Sequence, residues 1–233
     1  MSWGAVPARD LSVLHLCEYL TERGSPRSQG DWDAYWFVRA CKAESLENLA
    51  KPIRLSLLDQ RCALSAGNAD AVIDWFGAVA AAACVDAPDA PIAFVPVPSS
   101  TATEGAPSAG RTALFATAVS ERWPHESYVL DVLRWTEPMQ KAHEGGARDQ
   151  GILYEKLLST EPVRYGERVV LVDDVLTRGG HVAACAALLW DGGAEVEFAI
   201  TAARTVLARS QGPAFGARWH DIQVELEWFD PFT

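Results

Sequence analysis

Two rhythms divide the chain. Up to about residue 85, apolar residues recur at three- and four-residue spacings, which predicts helices over Leu11 to Glu22, Asp31 to Lys42, Ser45 to Gln60 and Asn68 to Val85. Asp31 is the expected N-cap of the second helix, and Pro52 interrupts the third. Gly24, Ser25, Pro26, Ser28 and Gly30 mark a loop between the first two. No strand pattern is expected before residue 90. After the break Asp86-Ala-Pro-Asp-Ala-Pro91, apolar runs of strand length begin to alternate with helical stretches. Strands are predicted at Ile92 to Val97, Tyr128 to Leu133, Val169 to Asp173 and Val196 to Thr201, and helices near Arg111 to Arg122, Asp149 to Leu158 and Val182 to Trp190. Ile222 to Trp228 adds another strand or a cover.

This alternation implies right-handed crossovers and an α/β fold whose mostly parallel sheet is flanked by helices. The expected organisation is a helical N-terminal extension over residues 1–90, followed by the α/β domain over 91–233. Ligands of such sheets bind beyond the carboxyl ends of the strands.

With 49% hydrophobic and 22% charged residues in 233, the chain can bury a substantial core. Its formal net charge of −11 argues against nonspecific binding to nucleic acid. A local anion site remains open to it, because a few cationic side chains and backbone N–H groups suffice. Five cysteines at wide spacings fit neither a disulfide framework nor a zinc module. Arg9, Asp10 and Glu18 interrupt the N-terminal apolar run, and no stretch has the apolar length of a membrane span, so a cytoplasmic location is expected.

The stretch that carries chemistry is Arg168-Val-Val-Leu-Val-Asp-Asp-Val-Leu-Thr-Arg-Gly-Gly-His181. An apolar run suited to a central strand ends in Asp173 and Asp174, then passes through a glycine turn into a helix. Two adjacent carboxylates at a strand's carboxyl end can hydrogen-bond a vicinal diol or hold a hydrated Mg²⁺. Gly179 and Gly180 allow close backbone approach, and the N–H groups that open the following helix suit a phosphate. Diol and phosphate together describe a ribose 5-phosphate. A P-loop would need Gly-Lys-Ser/Thr, and a dinucleotide fingerprint would put its glycines before any acidic pair.

This string resembles the signature that binds 5-phosphoribosyl 1-pyrophosphate (PRPP) in type I phosphoribosyltransferases, and it is most similar to the ComF-type branch. The resemblance covers about Ile92 to Arg204. It implies the type I phosphoribosyltransferase fold, Mg²⁺ as cofactor, and PRPP with a nucleobase or nucleotide as partners; it admits a homodimer. Phe94-Val-Pro-Val-Pro-Ser-Ser100 is similar to the family's first loop, which implies pyrophosphate contacts from Ser99 and Ser100. Arg111 matches an arginine near the next helix. Leu133 to Arg148 looks like the family's mobile catalytic loop, with Gln140, Lys141 and Arg148 matching best. The resemblance assigns ribose and metal contacts, the latter through water, to Asp173 and Asp174, and the 5-phosphate to Thr177, Arg178, Gly179, Gly180 and His181. His181 stands where the family has Thr or Ser, and Thr177 stands where 6-oxopurine enzymes carry an aspartate. The cysteine-rich zinc module common at the start of ComF-like proteins is absent.

The lid segment also reads on its own residues. Arg134 to Asp149 mixes Lys141, His143 and Arg148 with Pro138, Gly145 and Gly146, a composition that suits a mobile cationic loop. In an enzyme, Lys141 and Arg148 would close on pyrophosphate while Asp173 and Asp174 fix the ribose, and a nitrogen base would displace pyrophosphate. The alternative is a noncatalytic PRPP or nucleotide sensor on the same fold. An adaptor with a decayed site is the third reading.

Overall fold

The central sheet takes strands from both ends of the chain. In the computed structural model, which describes residues 8–22, 26–85, 89–139, 149–208 and 212–226, its strands are β1 (Ala8–Leu20), β4 (Ile92–Pro96), β5 (Ser127–Val129), β8 (Arg168–Leu176), β9 (Glu195–Val206) and β10 (Phe215–Glu225). Their spatial order is β10-β1-β9-β8-β4-β5. Neighbours are parallel throughout except for β1 and β10, which are antiparallel. Helices flank this α/β sheet on both faces.

One face packs on α1 (Gln29–Cys41), α2 (Ala71–Ala83), α3 (Arg111–Ser120) and the hairpin β2 (Ile53–Leu57) to β3 (Gln60–Leu64). The other packs on α4 (Gln150–Glu155), α5 (Gly180–Asp191) and the two-stranded sheet β6 (Leu133–Trp135) with β7 (Leu157–Ser159). Strand β8 shows why its sequence is apolar without alternation. Val170 and Val172 enter the first core with Phe94 and Phe115, while Val169 and Leu171 enter the second with Val182 and Leu189.

Three expectations for the first 90 residues are corrected. Leu11 to Glu22 is not a helix: Ala8–Leu20 is a strand lying between β9 and β10, so the sheet does not begin at residue 91. A bulge between His15 and Cys17 creates the misleading period. Leu11 and Val13 face one core, Leu14, Leu16 and Cys17 the other, and the bulge turns a period of two into spacings of three. Ser45 to Gln60 is not a helical pair either. Residues 53–64 form a hairpin in which Ile53 and Leu55 are buried, Arg54 and Ser56 are exposed, and Leu58 and Asp59 turn with φ of 49° and 61°. The N-cap of α1 is Ser28, with Asp31 as the reciprocal partner: Asp31 Oδ2 accepts from Ser28 N at 2.7 Å.

The later elements fall close to where the pattern puts them, with three differences. The helix expected over Asp149 to Leu158 ends at Glu155, and Leu157–Ser159 is strand β7. Tyr128 to Leu133 divides into β5 and the start of β6. The last strand spans Phe215–Glu225, so it begins before the expected Ile222, and the end of the expected stretch, Glu227 and Trp228, lies outside the described residues.

Candidate functional site

Strand β8 ends at the middle of the sheet's carboxyl edge, and the chain turns there into α5. Gly179 makes the turn. Its φ of +84° favours glycine, and a Cβ at this position would sit 3.2 Å from Ile222 Cδ1. No side chain caps the N-terminus of α5, so the first-turn N–H groups of Gly180, His181 and Val182 have no side-chain acceptor, the arrangement that suits an anion. Asp173, Leu176, Thr177, Gly179, Gly180 and His181 line a small depression over this terminus. Thr177 and Arg178 are exposed beside it.

The two acids act as a unit. Asp173 Oδ1 accepts from the Asp174 backbone N–H at 2.8 Å. Desolvation raises both carboxyls above their ordinary value, and for Asp173 the neighbouring Asp174 charge raises it further. Lys42 and Arg111 oppose the rise at Asp174. Lys42 is the C-cap of α1, an exposed residue that the sequence pattern marks only as a helix end. It reaches this edge because α1 packs against the sheet, information that no local window contains.

Beside β8, the loop after β4 brings Ser99 and Ser100 to the same edge. The Val97 N–H donates to Val172 O at 2.9 Å, which locks the loop's start to β8. Ser99 lies over the N-terminus of α3, where Gly110 (φ +88°) leaves room for its hydroxyl: a Cβ there would come within 2.7 Å of Ser99 Oγ. Ser100 O accepts from Met139 N at 2.7 Å, tying this loop to the approach of the expected lid.

The buried Trp135 joins the two loops. Its Nε1–H donates to Pro98 O at 3.1 Å, and its ring stands edge-on to His181. His181 therefore packs on an indole, and burial lowers its pKa, so at neutral pH it is an uncharged ring.

Arg111 is bonded to the end of α1. Nε donates to Cys41 O at 2.7 Å, and Nη2 to Ala40 O and Asp70 Oδ1, each at 2.9 Å. It satisfies the last carbonyls of α1, a structural task, while its charge still reaches Asp174. Arg134 is likewise not part of a loose lid. It is buried, pairs with Asp131 at 2.6 Å and donates to Ala106 O. Gln140, Lys141, His143 and Arg148 lie outside the described residues. Among the aromatic residues near the site, sequence reasoning missed Trp135, whose position depends on the pairing of β6 with β7.

No group of three or more metal-ligating side chains occurs among the described residues. The acid pair still fits Mg²⁺, which commonly takes one or two carboxylates and completes its octahedron with water and substrate phosphates. Also among the described residues, no helix is long and apolar enough to cross a membrane. No protein-family model matches the sequence, and no curated protein does. Among solved structures, the crystal structure of TT1426 from Thermus thermophilus is similar over 60% of this chain and 84% of its own, at 17% identity and a TM-score of 0.32.

Proposed function

We propose that the chain binds PRPP and transfers its phosphoribosyl group to a nitrogen base with release of pyrophosphate, on a type I phosphoribosyltransferase fold. The observation that carries this reading is the junction of β8 and α5. An acid pair meets an uncapped helix N-terminus through a left-handed glycine, so Asp173, which lines the depression, and its neighbour Asp174 offer acceptors for a diol next to donors for a phosphate. The Ser99 and Ser100 loop on the neighbouring strand supplies hydroxyls where the pyrophosphate would extend.

The chain's own contribution is positioning. Asp173 and Asp174 accept from the ribose hydroxyls, the first turn of α5 anchors the 5-phosphate, and Ser99 and Ser100 orient the leaving group. Asp173 and Asp174 would also hold hydrated Mg²⁺, which supplies charge neutralisation of pyrophosphate when bound. Lys141 and Arg148 are the proposed closing cations. The base attacks ribose C1 as the bond to pyrophosphate breaks, and no covalent enzyme intermediate is needed.

His181 favours a second reading, a PRPP or nucleotide sensor. Its ring is held by Trp135, so the turn has an imidazole where the related signature has a hydroxyl. Calorimetric titration of PRPP with Mg²⁺ tests the site, using the wild type and an Asp173→Asn, Asp174→Asn double variant. Micromolar binding lost in the variant is expected, and no binding to folded wild type sinks the proposal. Pyrophosphate release over a panel of free bases then separates the readings: base-dependent release marks an enzyme, and binding without release marks a sensor.

A further inference from the structure

A second polar cluster lies on the α5 side of the sheet, two strands from the acid pair, and the sugar-phosphate reading leaves it unused. The register puts Asp173, Thr201, His15 and Arg218 side by side on β8, β9, β1 and β10. The bulge that sends Leu16 and Cys17 into one core returns Glu18 to the face of His15, and their side chains approach to 4.0 Å. On β9, Ala202 and Ala203 both enter that same core, so Thr201 and Arg204 share the opposite face, and Arg204 pairs in register with Glu18. His220 is one strand repeat from Arg218.

Two features of this cluster point to a ligand. His15 is 1% exposed, and neither ring nitrogen has a hydrogen-bond partner. Glu18, at 4.0 Å, stands beyond hydrogen-bond reach of it. Arg218 donates from Nη2 to Pro213 O at 2.6 Å, while its buried Nη1 has no partner. Glycines leave room for that guanidinium: a Cβ on Gly216 would lie 3.1 Å from Arg218 Cζ, and one on Gly212 would lie 3.6 Å from Nη2. The guanidinium is thus bonded along one edge and unpartnered along the other.

The charge balance selects the ligand's sign. Arg204 and Arg218 stand against two carboxylates: Glu18, and Asp173 at the β8 end of the row, whose pKa is raised chiefly by burial, which disfavours its charged form. Asp221 beside His220 accepts from Ser12 Oγ at 2.6 Å and belongs to the other strand face. Burial, then Arg204, with a further contribution from Arg218, hold the His15 ring down to about 4, so at neutral pH it is an uncharged N–H donor. In a chain of net charge −11, Arg204 and Arg218 are two cationic donors set beside this neutral one.

We propose that His15, Arg204, Arg218 and His220 form a second anion-binding subsite that receives a carboxylate or phosphate group. A guanidinium fork and an imidazole N–H meet the oxygens of either group. The subsite stands whether or not the β8–α5 turn holds a sugar phosphate.

Histidine ring NMR tests it on the full chain at neutral pH, with inorganic phosphate and acetate as separate probes. His15 and His220 report the cluster, and His181 reports the turn. The His15 and His220 signals are expected to follow a common saturation curve distinct from that of His181. Arg204→Gln and Arg218→Gln should each weaken that curve by about tenfold and leave His181 unchanged. The more tightly bound probe identifies the group as phosphate or carboxylate. Should Arg218 prove necessary for folding, Arg204→Gln and the wild-type titration still decide. Immobile His15 and His220 signals at millimolar anion, or a response indifferent to the arginine replacements, overturn the subsite. A silent His181 beside responding His15 and His220 would instead count against the phosphate turn alone.

Discussion

The ring of His181 stands edge-on to the indole of Trp135, with centroids 5.5 Å apart and planes at 84°. The same indole donates to Pro98 O, so one side chain couples the β8–α5 turn to the loop carrying Ser99 and Ser100. Trp135→Phe keeps a ring beside His181 and removes the bond to Pro98. We expect a loss of about 1 kcal/mol of stability and a several-fold loss of PRPP affinity. Denaturation and calorimetric titration measure the two effects, and unchanged affinity would separate the loops.

Gly179→Ala meets two obstacles, a left-handed φ and the side chain of Ile222. The expected cost is about 1–2 kcal/mol in stability, with phosphate affinity falling because the turn must open. Adding Ile222→Val removes the Cδ1 contact but leaves Cγ2 at 3.3 Å and the φ unchanged, so only part of the loss should return in a thermal melt.

Asp173 and Asp174 both have raised pKa values in the folded state. Between the ordinary carboxylate value and the raised ones, the folded chain holds more protons than the unfolded chain, so this pair makes stability fall as pH rises through that window. Asp173→Asn should therefore be more stable than wild type at neutral pH, and the gap should close as pH drops below the ordinary carboxylate range. Denaturant titrations across that range check the sign. A variant less stable than wild type at neutral pH would mean that the pair is already compensated.

Arg111→Gln should act on stability before binding. Its bonds to Ala40 O and Cys41 O anchor the end of α1 and contribute about 1.5–3 kcal/mol. The ion pair with Asp70 adds little, since that carboxylate is 81% exposed. PRPP affinity should fall only modestly, through the weakened positive field at Asp174. A large affinity loss at unchanged stability would restore Arg111 to direct ligand contact.

The α/β half of the chain is legible because its signals are local. Residues 168–181 contain in one stretch the buried strand, the acids, the left-handed glycine and the helix start, and nothing distant changes their meaning. The first half is less legible. The bulge at His15 gives a strand the spacing of a helix, and the hairpin turn at Leu58 and Asp59 uses positive φ without glycine or asparagine. Side chains recruited across the fold are harder still. Lys42 reads as a helix end and His15 as an interior residue of a helix that does not form, and the bonds of Arg111 to the end of α1 have no local signal.

The placement of β1 between β9 and β10 also sets an order of events during synthesis. Ala8 pairs with Glu225, and Leu14 with Ile200, so both partners of this strand leave the ribosome about 180 residues or more after it does. Until then β1 has two unsatisfied edges and an apolar sequence, the combination that invites pairing with another chain. Arg9 and Asp10 at its start, followed by Glu18, interrupt that sequence with charge. Loss of these charges should first appear as aggregation of nascent chains, at a stage when the finished protein's stability is not yet in play.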